Sequence, residues 1–149
     1  MDQHRVTFTL NRLVGELNTT ADRVLRKDFG LTYSQFLFLV HLDSAGTVSS
    51  SVLAKNMGVS RAAVSKRIPW FTSRGLVRSG HTPSDNRVLT LSATSQGKRL
   101  VAEMSDHLEQ RFREKFDSLE GVDLDELNRT LLCVLDHFQQ QPREAAMAT

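Results

Sequence analysis

The sequence predicts a mainly α chain of the α+β class. Two short helices joined by one tight turn are followed by a β-hairpin, with long amphipathic helices on either side. Three observations predict this. Between Ser49 and Ser73, apolar residues recur at helical spacing on both sides of Gly58. From Leu76 to Leu91 the period changes to alternation around a cluster of turn formers. Before and after that region, apolar residues step by three and four through more chain than a compact module of roughly fifty to seventy residues would need.

In order, Val6, Leu10, Leu13, Leu17, Ala21 and Val24 form the stripe of a first long helix that stops near Phe29-Gly30. Thr32-Tyr33-Ser34-Gln35 has the form of a capping box and opens a helix, QFLFLVHL, apolar almost all round and so buried. Asp43 to Val48 is expected as a short loop around Gly46. Leu53, Ala54 and Met57 give the next helix its apolar face. Gly58 makes the turn, Val59 plugs the corner, and Ser60 caps a second helix. There Val64, Ile68 and Phe71 face inward, while Ala62, Ser65, Lys66, Pro69 and Ser73 form a small, polar and basic opposite face. This arrangement resembles the helix-turn-helix of DNA-binding proteins.

Leu76–His81 and Arg87–Leu91 are the expected strands of a hairpin wing, joined through Thr82-Pro83-Ser84-Asp85-Asn86. A lone hairpin is marginal, so it must lean on the preceding helices. From Thr94 a second long helix carries Leu100 or Val101, Met104, Leu108, Phe112 and Phe116, and Gly121 breaks it. Asp123 caps a last helix with Leu124, Leu127, Leu131, Val134 or Leu135, and Phe138. The whole, residues 1–149, reads as one domain: about 31–92 a winged helix-turn-helix, about 5–28 and 94–139 dimerisation helices, and 140–149 a frayed tail.

The 149 residues, 40% hydrophobic and 24% charged, fit an ordinary globular chain. The N-terminus has no apolar run long enough for a signal peptide, and no window suits a membrane span. One cysteine, Cys133, excludes an internal disulfide framework and points to the cytoplasm. The net charge of +2 hides an asymmetry: residues 51–91 hold seven Lys/Arg against Asp85 alone. That concentration coincides with the helix-turn-helix and suits a module that neutralises phosphates.

With these elements in place, the chain resembles the MarR family of bacterial winged-helix regulators. The matching pieces are Leu31-Thr32 with Gln35-Phe36, Leu53-Ala54 through Val59-Ser60, Arg74-Gly75-Leu76-Val77, and the wing signature Asp85-Asn86-Arg87. The family's Leu-Thr-x-x-Gly element follows as Ala93-Thr94-Ser95-Gln96-Gly97. The resemblance implies a homodimeric transcriptional repressor on a near-palindromic duplex operator, with release by a small, often aromatic effector. It places Ser60, Arg61, Ala62, Ser65, Lys66 and Arg67 at the major groove and its flanking phosphates. Arg87 reaches the minor groove from the wing, where Asp85 pairs with an arginine; Arg78, His81 and Asn86 complete the wing contacts. Ser49 and Ser50, at a helix start, meet phosphate. The chain departs from the family in Pro69, expected to kink the last turn of the recognition helix, and in Trp70 beside it.

Other chemistry is thinly represented. There is no nucleophile elbow and no phosphate-binding glycine loop, so an enzyme is not expected, and no cofactor is implied. Tyr33, Phe36, His41, Trp70 and Met104 are the candidates for an effector pocket, with ordinary core the bland alternative for Phe36. No metal site is expected; His41, Glu103 and His107 are weak candidates, the bland reading of the last two being a surface pair at i, i+4. Cys133 is expected as a half-buried structural thiol rather than a redox switch. Two alternatives stand beside the repressor: a metal- or redox-responsive relative, and a winged-helix protein-interaction module that does not use DNA.

Overall fold

The structure, a computed structural model, describes residues 5–82 and 84–140, with the backbone alone at Asp85 and Asn86. Its elements run α1 (Val6–Phe29), α2 (Tyr33–Ala45), β1 (Val48–Ser49), α3 (Ser50–Met57), α4 (Arg61–Ser73), β2 (Val77–Thr82), β3 (Asp85–Ala93), α5 (Ser95–Phe116) and α6 (Leu124–Gln140). The chain divides into two compact units, one through Glu109 and one from Gln110. Among the described residues, no helix is long and apolar enough to cross a membrane.

In the first unit, local signals set the boundaries. Gly30 closes α1 in the left-handed region at φ 69°, a conformation a Cβ would penalise. The capping box forms in full: Gln35 N–H donates to Thr32 Oγ1 at 3.0 Å, and Thr32 N–H to Gln35 Oε1 at 2.8 Å. Asp22 of α1 then ties the two helices together. It accepts the Tyr33 N–H at 2.9 Å and the Arg26 Nε–H at 2.6 Å. Both bonds favour the ionised carboxylate, so the Asp22 pKa lies below the usual carboxylate value, the Tyr33 amide being the larger cause.

The core gathers under α2. Phe38, Leu39 and Leu42 are fully buried with Leu25, Leu53, Val64, Phe71, Leu91 and Met104. Phe38 stacks on Phe71 of α4 with ring centroids 4.4 Å apart, a contact worth about 0.5–1.5 kcal/mol beyond its buried area. The three strands form an antiparallel sheet in the order β1-β3-β2. Strand β1 corrects the expected loop: α2 continues to Ala45, and Val48 and Ser49 pair with Leu91 and Thr90. Two residues are too short to show a period, and their partners lie some forty residues ahead. The hairpin is also longer than expected, its register closing at Thr82↔Asp85. Val59, expected to plug the corner, is 37% exposed; the corner is held instead by its N–H on the Ala54 carbonyl.

A knuckle joins the wing to α5. Thr94 donates its backbone N–H to the Leu76 carbonyl at 3.0 Å and its hydroxyl to the Gly75 carbonyl at 2.6 Å. The same hydroxyl accepts the Gly97 N–H at 3.0 Å. A Cβ on Gly97 would stand 2.2 Å from the Leu76 carbonyl oxygen, so the Thr-x-x-Gly pattern is the signature of this approach.

In the second unit Gly121 turns the chain at φ 80° and Asp123 Oδ1 caps α6 through the amides of Asp125 and Glu126. No residue of α6 is buried. Cys133 is therefore exposed, which corrects the half-buried thiol expected from its neighbours. Gln140 belongs to α6; the fraying expected beyond it falls on 141–149, outside the described residues.

Candidate nucleic-acid interface

The site is built on α3 and α4. Ser49 caps α3 by accepting the Val52 N–H at 3.2 Å, and Ser60 caps α4 by accepting the Ala63 N–H at 3.1 Å. Gly58 turns between them at φ 65°. Packing of Val64, Ile68 and Phe71 then fixes the roll of α4 about its own axis. The consequence is an outer face of Arg61, Ala62, Ser65, Lys66 and Pro69, all exposed. Small side chains at the centre with cations around them let the helix approach a groove closely. Ser50 does not join this face: at 8% exposure it is buried in the first turn of α3. Pro69 leaves α4 continuous from Arg61 to Ser73, so the expected kink does not interrupt the helix.

Trp70 sits on the flank of α4. Its ring meets Phe71 edge-on at 4.9 Å, and the Arg74 guanidinium lies 3.8 Å above its centroid. Arg74 also donates to the Trp70 carbonyl at 3.3 Å. Sequence reasoning missed Arg74 here, although the i, i+4 spacing of an aromatic and an arginine is a readable signal. The same ring lines a cleft of ≈ 510 Å³ with Thr32, Ser34, Gln35, Ala63, Lys66, Arg67 and Phe71. Of the other residues expected around an effector, Phe36 and Met104 are core, while Tyr33 and His41 are half-buried on α2. None of those four lines this cleft.

On the wing, Arg78 and His81 of β2 and Arg87 of β3 are exposed. The expected pairing of Asp85 with an arginine, and the contact expected of Asn86, fall on side chains outside the described residues. His107 pairs with Asp28 of α1 at 2.7 Å and meets the Phe29 ring edge-on, rather than pairing with Glu103. His41, Glu103 and His107 are not brought together, and among the described residues no group of three His, Cys, Asp or Glu could hold a metal ion.

A mainly helical unit with a three-stranded wing and an outward basic helix defines the winged helix-turn-helix class. Within that class, residues 31–89 match the model of the MarR family. Its members are transcriptional regulators, not enzymes. The chain is 31% identical to the uncharacterised HTH-type transcriptional regulator YdgJ of Bacillus subtilis over 106 residues, 71% of this chain and 62% of the relative. The match thus spans about three fifths of that relative's length. AbsC, a MarR family transcriptional regulator from Streptomyces coelicolor, superposes with a TM-score of 0.67 at 28% identity, over 95% of this chain and 97% of AbsC. The transcriptional repressor CouR, solved bound to a 23-mer DNA duplex, has the same fold, with a TM-score of 0.74 at 21% identity over 91% and 93% of the two chains.

Proposed function

We propose that this chain is a sequence-specific DNA-binding transcriptional regulator that works as a homodimer. The carrying observation is the outer face of α4, where Arg61 and Lys66 frame Ala62 and Ser65 on a helix rolled outward by its own core. Ser60, Arg61, Ala62, Ser65 and Lys66 read the major groove; Ser49, Arg67, Arg78, His81 and Arg87 meet the backbone and minor groove beside it. The second copy is supported by apolar faces left uncovered in each unit. Val6, Leu10 and Leu13 of α1, on one stripe, are 71%, 37% and 38% exposed, and Leu132, Leu135 and Phe138 of α6 are 49%, 51% and 70% exposed. Apolar side chains gathered on one helix face and left open to solvent mark interaction surfaces. A two-fold dimer spaces its reading helices one turn of DNA apart, ~34–36 Å.

The finer reading is repression relieved by a small aromatic molecule, supported by what members of the family do. Gel shifts with DNA from around the protein's own gene test the proposal. A band that weakens steeply as salt rises supports it, and no salt-sensitive band at any protein concentration overturns it in favour of a protein-interaction module.

A further inference from the structure

Inside a helix, proline is the least favourable residue: it lacks the N–H that would meet the carbonyl four residues back, and its ring crowds that carbonyl. Pro69 nevertheless stands within α4, which runs unbroken from Arg61 to Ser73. Its side chain is exposed, so no packing in the core offsets this cost. Chains break such local rules chiefly at functional sites. Ala62, Lys66, Pro69 and Ser73 recur at i, i+4, i+7 and i+11, all exposed, on the stripe opposite Val64, Ile68 and Phe71. We propose that Pro69 is a specificity-determining residue, its ring selecting the 5-methyl group of a thymine in the major groove. This rests on the DNA-binding reading above and deepens it, since that reading gives Pro69 no role.

The polar groups that follow Pro69 are turned back on the helix. Thr72 donates its hydroxyl to the Ile68 and Pro69 carbonyls at 3.1 and 3.2 Å, and Ser73 donates its own to the Trp70 carbonyl at 3.0 Å. Arg74 donates to that same carbonyl at 3.3 Å and lies over the Trp70 ring. These donors are engaged by α4 itself, and between them and Lys66 the outward side chain is Pro69. Its ring is apolar and has no rotamer freedom to lose. Against adenine, guanine or cytosine it would cover amino hydrogens, N7 or O6 and give them no partner, which is costly. Thymine alone puts a methyl group into the major groove, and a rigid apolar ring gains by covering it. At ~1.5 Å of rise per residue, Pro69 stands ~4.5 Å past Lys66 along α4, so its thymine lies about one base step from the contact that Lys66 makes.

Deoxyuridine isolates this contact, because uracil keeps every hydrogen-bonding group of thymine and lacks only the 5-methyl. Fluorescence anisotropy is measured on a duplex from upstream of the protein's own gene, and on duplexes in which its thymines are replaced by uracil one position at a time. For the wild type, one replacement in each half-site is expected to weaken binding about fourfold, the effect of one buried carbon. Pro69→Ala weakens binding to the thymine duplex by about that same factor and is indifferent to that replacement. Its sensitivity at other thymines matches the wild type. Pro69→Val, apolar at the same place but with its N–H restored, keeps the sensitivity. Circular dichroism verifies that each variant is folded. If Pro69→Ala loses as much as the wild type at every position, or if the wild type ignores every replacement, Pro69 reads no methyl while DNA binding stands. If Pro69→Val behaves as Pro69→Ala does, the missing N–H rather than the ring shapes recognition, which also overturns the assignment. A wild type that binds neither kind of duplex defeats the DNA reading itself.

Discussion

Single residues here act through backbone more than through bulk. Gly97 and Gly15 are both helical glycines, yet they face opposite surroundings. An added Cβ at Gly97 meets a backbone carbonyl at 2.2 Å, whereas at Gly15 nothing lies within 4 Å. Gly97→Ala is therefore expected to destabilise by about 1–3 kcal/mol, since the knuckle at Leu76 must open. Gly15→Ala is expected to stabilise by about 0.5–1 kcal/mol through helix propensity alone. Urea titrations of both variants read the difference, and equal effects would contradict the knuckle. Asp22 carries a pH signature. Its folded pKa lies below its unfolded value, so its contribution is complete above the unfolded value and disappears as pH falls through the folded one. Asp22→Asn is expected to lower stability at neutral pH and to flatten the acid limb of the stability curve. An acid limb unchanged by the substitution would show that the Tyr33 and Arg26 bonds do not hold the carboxylate ionised.

At the scale of elements, what was readable in the sequence was what is decided within a few residues. The Thr32–Gln35 box, the stop at Gly30 and the Ser60 cap are each settled by neighbours in the chain, and each forms as expected. Strand β1 was not readable, because Val48 and Ser49 become a strand only when β3 arrives beside them. The exposure of Cys133 is unreadable for a related reason: a helical stripe does not say whether anything covers it, and no residue of α6 is buried. At the candidate site, the outer face of α4 was legible from its wheel, but the Trp70–Arg74 stack and the cleft were not. The cleft needs α2 to stand against α4, which no local pattern states. Two predictions belong to helix α4. Ser60→Ala should cost about 1 kcal/mol by orphaning the Ala63 amide. Pro69→Ala should stabilise by up to about 3 kcal/mol, because Pro69 is exposed and only its missing N–H and ring weigh against the helix. Thermal melts of the two variants moving in opposite directions would support this, and a lower melting temperature for Pro69→Ala would contradict it.

At the scale of the whole molecule, the proposal turns on pairing. Leu132, Leu135 and Phe138 of α6 are 49%, 51% and 70% exposed, and in the proposed dimer covering what is still open is worth about 1–2 kcal/mol per side chain. Leu135→Glu is expected to yield monomers by sedimentation and to weaken DNA binding far more than any single contact in the groove would. In the proposed dimer, two copies present two α4 helices to one duplex. Hydroxyl-radical footprinting on DNA from around the protein's own gene tests it most directly. Two equivalent protected patches, related by a two-fold axis and centred about 10–10.5 base pairs or a multiple of that apart, are the predicted result; a single unpaired patch, or uniform protection without register, would contradict it.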